Sequence, residues 1–417
     1  MGIHPRSRSA LALFCLGMIV LHFAVFWSAR HEVLSGAADF SIFYTAGLIL
    51  QHGQGGLVYS NGIQRQTQHE FASAFIQDNG FLPYNHPPFE ALVFFPLTYM
   101  PYIDAYFLWL GINLLVLTGS IYLIRPWTGM LHSTFPWMVY LAALGFFPTA
   151  YALLQGQDSI LLLALYCLAY AEFRRRRDTR AGIYLGLGLF KFHLILPFAF
   201  ILLLRRRWKV LLGICLSACF ELVISWAIVG KELFYYPRYA WLINRHVPMG
   251  VIFPENMPNL RGLLMGWMQS ATPPLWIDAV LIATSAGLLV WASRYWQAQD
   301  FVDNYRWNAG FSIALVVTFL VGYHSYNHDM SILLLPILLT WNDLLDKNPS
   351  ARSAALKVVL GVMFLSPLYM ILTLQYFHQN LFALVLLSLA GLLASFAATK
   401  RPTLASKDTP LSTAQLR

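Results

Sequence analysis

The stretch "RRRRDTRAGIYLGLGLFKFHLILPFAFILLLRRRWK", Arg174–Lys209, sets a basic cluster at each end of one apolar segment. Arg and Lys beside an apolar run mark the cytoplasmic end of a membrane span. A single helix over Ala181–Leu204 would send the two clusters to opposite faces of a bilayer. Two short helices that meet near Lys191, His193 and Pro197 and then return would keep both on one face. A membrane tolerates such a break only where protein or a watery cavity satisfies the freed backbone groups. The stretch therefore predicts an all-α polytopic membrane protein with at least one interrupted helix and a lysine at the interruption.

The remainder of the chain agrees. Of 417 residues, 58% are hydrophobic and 11% charged, with a mean hydropathy of +0.57, more apolar surface than one soluble core can hide. Ser9–Ala29, Tyr102–Ile124 and Val210–Val229 reach or approach the length that crosses hydrocarbon. Further spans are expected near Ser133–Ala152, Ile160–Phe173, Trp276–Trp296, Trp307–Tyr323, Met330–Trp341, Lys357–Leu374 and Leu381–Ala398. Met330–Trp341 is too short alone and is expected to extend into "HSYNHD". The first run is longer than a signal-peptide core and lacks a small-residue cleavage pattern, so it reads as a retained span.

The net charge of +9 sits mostly in short loops, where it orients the chain rather than binding nucleic acid. Cys15, Cys167, Cys215 and Cys219 lie inside apolar runs with no disulfide or metal spacing and read as small core hydrophobes. Arg6 and Arg8 place the N-terminus in the cytoplasm, which sends residues 30–101, the longest loop, to the outer side. Two pieces of that loop, "FSIFYTAGLILQHG" and "IQRQTQHEFASAFIQ", have helical apolar spacing suited to lying flat on the interface. "NHPPFEALVFFPLTYMP" is expected to insert partly. One integral-membrane domain over 1–400 and a cytoplasmic tail over 401–417 are the expected organisation.

Charged groups near hydrocarbon are costly and become functional candidates by default. Asp39, followed by Phe40, Phe43 and Tyr44, is either the N-cap of a helix or a water-accessible carboxylate able to accept a proton from a hydroxyl. Lys191, at the tip of the interrupted segment, suits a phosphate or carboxylate, with a snorkelling or structural lysine as the plain alternative. His193 shares that task or simply packs. In "GYHSYNHD", His324 and His328 stand i,i+4 and would share a face on a continued helix, with Asp329 adjacent. Substrate binding and helix-end hydrogen bonding both suit this group. "LLQGQDS" offers Gln155, Gln157 and Asp158 around a turn at Gly156. "YNHPPFEA" supplies Tyr84, Asn85 and His86 before a proline pair that fixes the backbone. Arg65, Glu70, Glu90, Asp104 and Arg261 complete the outer-side set. No HExxH pattern and no carboxylate cluster suited to a hard cation is present, so neither a metal nor another cofactor is expected.

"ADFSIFYTAGLILQHGQGGLVYS", "YNHPPFEALVFFPLTYMP", "LLQGQDSILLLAL", "AGIYLGLGLFKFHLILPFAFILLLRRRW" and "HSYNHDMSILLLPIL" together resemble the successive motifs of the family-87 glycosyltransferases. That resemblance covers most of residues 38–340. It implies a bacterial inner-membrane enzyme of the GT-C fold, with about twelve membrane helices, some short or broken, and interfacial helices in the first outer loop. It further implies transfer of a hexose, often mannose, with inversion, from a polyprenyl-phosphate donor to a lipid or glycan hydroxyl on the outer side. Asp39 then matches the family's general base. Lys191, His193, Arg261, His324 and His328 become candidates for the donor phosphate or sugar. Tyr44, Arg65, Tyr84, Asn85, His86, Gln157, Asp158 and Asp329 become candidate acceptor or sugar contacts. "GQDS" departs from the commoner asparagine at its third position. A transporter or flippase of a polar lipid is the main rival, since broken helices also build transport sites; a noncatalytic assembly subunit is a third reading.

Overall fold

The computed structural model describes residues 5–245, 253–268, 275–296, 304–346, 350–372 and 380–398. The expected tail, 401–417, lies outside these residues. Those described are all-α. The elements used below are α1 Pro5–Glu32, α2 Phe40–Gln51, α3 Asn61–Asn79, α4 Tyr102–Ile124, α5 Met138–Gly145, α6 Phe147–Gln155, α7 Ser159–Arg174, α8 Asp178–Gly186, α9 Phe192–Leu204, α10 Trp208–Val229, α11 Tyr236–Arg245, α12 Leu260–Met268, α13 Leu275–Ser293, α14 Asn304–Val321, α15 Leu334–Leu345, α16 Ala351–Phe364 and α17 Phe382–Ala397.

Among the described residues, 4 helical stretches are long and apolar enough to cross a membrane, and up to 6 if each of two bent pairs counts as one. The bent pairs are α5 with α6, turned by 64°, and the α8–α9 segment, turned by 61°. α14 and α17 are apolar but shorter. Leu13, Val20 and Phe23 on α1 are 64% or more exposed, which suits a lipid-facing helix and would be costly in water.

The break in the Arg174–Lys209 stretch falls at Leu187–Gly188, followed by a 3-10 turn over Leu189–Lys191. Arg207 Nη2 reaches the Asp178 carboxylate at 3.1 Å, so the basic clusters on either side of the apolar segment come together at one end of the bundle. α8 packs closely on α10 because glycines face each other: a Cβ on Gly182 would lie 2.0 Å from the Val210 carbonyl oxygen. Any larger residue would force these helices apart.

The first loop departs from its expected form. α2 does not lie on an interface: Phe40 through Ile49 are all buried, wedged among Phe94, Tyr102 and Tyr106. α3 turns polar residues inward. Gln64 Oε1 accepts from the Tyr84 backbone N–H at 2.8 Å, and Gln68 Oε1 accepts from that of Leu82 at 3.0 Å. A loop buried against the protein needs such partners. "NHPPFEALVFFPLTYMP" forms three consecutive short turns, Pro88–Glu90, Ala91–Phe94 and Phe95–Tyr99. His324 and His328 share no helix, because α14 ends at Val321 and a 3-10 segment begins at His328.

Two buried clusters organise the interior. The larger joins α7, α9, α14, α15 and α17; the smaller joins α2 to the 84–109 region.

Candidate active site

The "QGQDS" turn is built to hold its side chains still. Gly156 closes α6 in the left-handed conformation, φ 61°, and a Cβ there would sit 2.6 Å from Phe40 Cβ. Only glycine meets both conditions without strain. Two residues one turn apart on α4 clamp the backbone: Tyr106 Oη donates to the Leu154 carbonyl at 2.7 Å, and Trp109 Nε1 donates to that of Gly156 at 2.9 Å.

Both glutamines of the turn grip Asp39. The Asp39 backbone N–H donates to Gln155 Oε1 at 3.0 Å, and Gln157 Nε2 donates to Asp39 Oδ2 at 2.7 Å. Asp39 occupies the N-cap position of α2, but its side chain makes no capping hydrogen bond. The carboxylate turns to Gln157 and is 29% exposed.

Lys191 lies beneath this pair, 2% exposed. Its Nζ is 2.8 Å from Asp158 Oδ1, 2.8 Å from Asp329 Oδ1 and donates to Gln157 Oε1 at 3.1 Å. An ammonium group has three hydrogens, and three partners surround it. In this structure all three are protein groups, so Lys191 is held within the protein, at the place in the interrupted segment where it was expected to serve the donor phosphate. Because an ammonium can only donate, Gln157 must turn its oxygen to Lys191 and its N–H₂ to Asp39. Asp329 is fixed in turn by Ser159 Oγ at 2.9 Å and the Tyr326 backbone N–H at 3.0 Å. His328 bridges the two layers, with Nε2 3.4 Å from Asp329 Oδ2 and Nδ1 3.9 Å from Asp39 Oδ2.

A second wall holds His193, His324 and Arg261. The imidazoles meet edge to face at 5.9 Å, and His193 Nε2 and His324 Nδ1 are buried without hydrogen-bond partners. Arg261 Nη1 donates to the Tyr323 carbonyl at 3.1 Å, its guanidinium 3.9 Å from the Tyr323 ring. Burial holds the His324 imidazole well below its ordinary pKa.

A third wall is His86 with Glu90. His86 Nδ1 lies 2.8 Å from Glu90 Oε2. Burial lowers the His86 pKa to about 4 and raises that of Glu90 to about 7, with Asp158 and Lys191 moderating the rise. Near neutral pH the contact is thus between a neutral imidazole and a carboxyl that readily carries a proton. His86, Glu90 and Asp158 bring ligand atoms within 4.8 Å of one another and could hold a cation. Lys191 already places a positive charge on the Asp158 member.

These values carry a sign that can be tested. A carboxyl raised from 4.5 to about 7 leaves the fold at full stability below pH 4.5. Stability then falls as the pH rises from 4.5 through 7, by a total of about 3 kcal/mol. The melting temperature of Glu90→Gln should match that of the parent near pH 5 and exceed it at pH 8.5. Parallel melting curves across that range would refute a buried, reluctantly ionised Glu90.

Other expected contacts lie elsewhere. Tyr44 is 4% exposed and donates to the Met100 carbonyl at 2.6 Å. Tyr84 is fully buried and donates to the Pro87 carbonyl at 2.7 Å. Both shape the loop. Asn85 offers its carbonyl to Tyr236 Oη at 3.4 Å. Arg65 lies on the exposed face of α3, away from Gln64 and Gln68. Ser159 and Tyr326 belong to the site although the sequence marks neither; Glu90, one of the outer-side charges, stands at i,i+4 from His86 in "HPPFE".

Comparison with curated proteins and with solved structures returns no match to this chain. The model of glycosyltransferase family 87 matches residues 84–322. That range, more than half the chain, contains His86, Glu90, Gln157, Asp158, Lys191, His193 and Arg261 and stops short of Asp39 and Asp329. The chain therefore belongs to glycosyltransferase family 87 and is a membrane glycosyltransferase.

Proposed function

We propose that this enzyme transfers a hexose, mannose being the first to test, from a polyprenyl-phosphate donor to a hydroxyl of a lipid or glycan, with inversion and on the outer face of a bacterial inner membrane. The architecture proposed is of the GT-C type. Asp39 takes the proton of the acceptor hydroxyl as that oxygen attacks the anomeric carbon. The bond from that carbon to the phosphate oxygen breaks on the opposite face, and the lipid phosphate leaves with the electron pair. Phosphate is a competent leaving group that needs cationic and hydrogen-bonding support more than protonation. Arg261, His193 and His324 take that role, with His328 between them and the base. No second carboxylate is needed as a nucleophile.

The observation that carries a lipid-linked donor is a groove of about 980 Å³ whose lining includes Phe192, Phe200, Trp241, Leu281 and Tyr323. It is apolar enough for a prenyl chain, and it adjoins the second wall at two points: Phe192 precedes His193, and Tyr323 is the ring under Arg261. A prenyl chain in this groove would bring its phosphate to those side chains.

Incubation of the purified protein with polyprenyl-phosphate mannose, glucose and arabinose, with GDP-mannose and UDP-glucose in parallel and a membrane lipid extract as acceptor, tests the reading. Product is expected from a lipid-linked donor and from neither nucleotide sugar. Direct turnover of a nucleotide sugar would overturn it.

A further inference from the structure

A separate cavity of about 720 Å³ lies between the start of α3 and α11. Tyr59, Tyr235 and Tyr239 line it together with Ser60, Asn61 and Glu232. The rings form a connected wall: Tyr59 and Tyr239 are 5.1 Å apart, and Tyr235 and Tyr239 6.0 Å. The polar groups are ordered. Tyr239 Oη accepts from Gln64 Nε2 at 3.1 Å and lies 3.0 Å from Asn61 Oδ1, to which it donates. That bond fixes the Asn61 amide, leaving its N–H₂ hydrogens as donors.

We propose that this cavity binds an uncharged carbohydrate residue of the acceptor, a subsite separate from the Asp39 centre. The open ring of Tyr235, backed by the buried Tyr59 and Tyr239 and set beside an amide, a hydroxyl and a carboxylate, matches a sugar, which has apolar C–H faces and a belt of hydroxyls. A phosphate would find no cation among the lining residues and would meet Glu232. An acyl chain would cover the Ser60 hydroxyl, the Asn61 N–H₂ and the Glu232 carboxylate without offering any of them a hydrogen bond, at a cost for each. Protein contacts tie the subsite to the reaction centre. Tyr59 Oη donates to the His86 carbonyl at 2.8 Å, and the His86 ring stands 4.9 Å from that of Phe43 on α2. An acceptor bearing several sugars could thus present one hydroxyl to Asp39 while another residue rests here. This inference rests on the glycan side of the proposed acceptor reading.

Saturation-transfer NMR on the full chain in detergent, with mannotriose, maltotriose and chitotriose as probes and inorganic phosphate as control, tests it. At least one trisaccharide should bind in the millimolar range, and Tyr235→Ala and Asn61→Ala should each reduce its saturation transfer at least fivefold. Tyr235 is 38% exposed, so its removal spares the core. Asp39→Asn should bind the trisaccharide as the parent does, which separates this subsite from the catalytic reading. Trisaccharide binding that depends on Tyr235, in a protein that uses no lipid-linked donor, would leave the subsite standing while the donor assignment falls. Absence of trisaccharide binding, or binding indifferent to both variants, would overturn the subsite.

Discussion

Asp39→Asn should lower kcat by roughly 10³-fold, within the range of a lost general base, and change donor affinity by less than about threefold, since the donor's contacts are assigned to the second wall. Asn is isosteric, and its side-chain oxygen can still accept from Gln157 Nε2, which now stands 2.7 Å from the carboxylate. The fold should survive, because Asp39 makes no capping bond that the substitution would remove. Gln157→Leu extends the test. It leaves the base in place and removes the group that aims it. Its kcat should fall roughly 10- to 30-fold, the scale of a misdirected catalytic group, with both KM values little changed. An Asp39→Asn enzyme within tenfold of the parent would remove Asp39 from the chemistry, and Gln157 would lose its role with it.

The sequence and the structure agree most closely where the signal is local. Basic clusters at Arg174–Arg177 and Arg205–Arg207 required a returning segment, and the Arg207–Asp178 contact at 3.1 Å brings its ends together. Lys191 stands at the interruption, as its position between apolar neighbours suggested. Its partners were beyond reach, because Asp158 and Asp329 arrive from segments distant in the chain and no periodicity reports which carboxylates will meet an ammonium. The Asp39–Gln157 contact is equally nonlocal.

α2 was misread for a physical reason. "FSIFYTAGLILQ" is apolar nearly all the way round, which fits a helix enclosed on every side better than one floating on an interface. α3 inverted the usual rule, turning Gln64 and Gln68 inward because the backbone of residues 82–84 needed donors and acceptors. Tyr44 follows Asp39 by five residues, about 140° round the helix, so adjacency in sequence sent its hydroxyl to Met100 rather than to the site.

Lys191→Met should destabilise the protein by about 3–5 kcal/mol, the usual result of removing one partner from a buried ion cluster. Asp158 and Asp329, each 1% exposed, would lose the ammonium 2.8 Å away and face each other unscreened. Adding Asp329→Asn removes one of those charges, so the double variant should recover much of the lost melting temperature. Its transfer rate should stay depressed, because Gln157 Oε1 has lost the ammonium that anchors it, so the amide that aims Asp39 is held from one side only. Stability and turnover are therefore expected to separate: removing the second charge repairs the first and leaves the second impaired. A lysine that held the donor phosphate would behave differently. Its removal would leave the melting temperature nearly unchanged and raise the donor KM at least tenfold, and that result would return Lys191 to the donor site and dismantle the Lys191–Gln157–Asp39 chain.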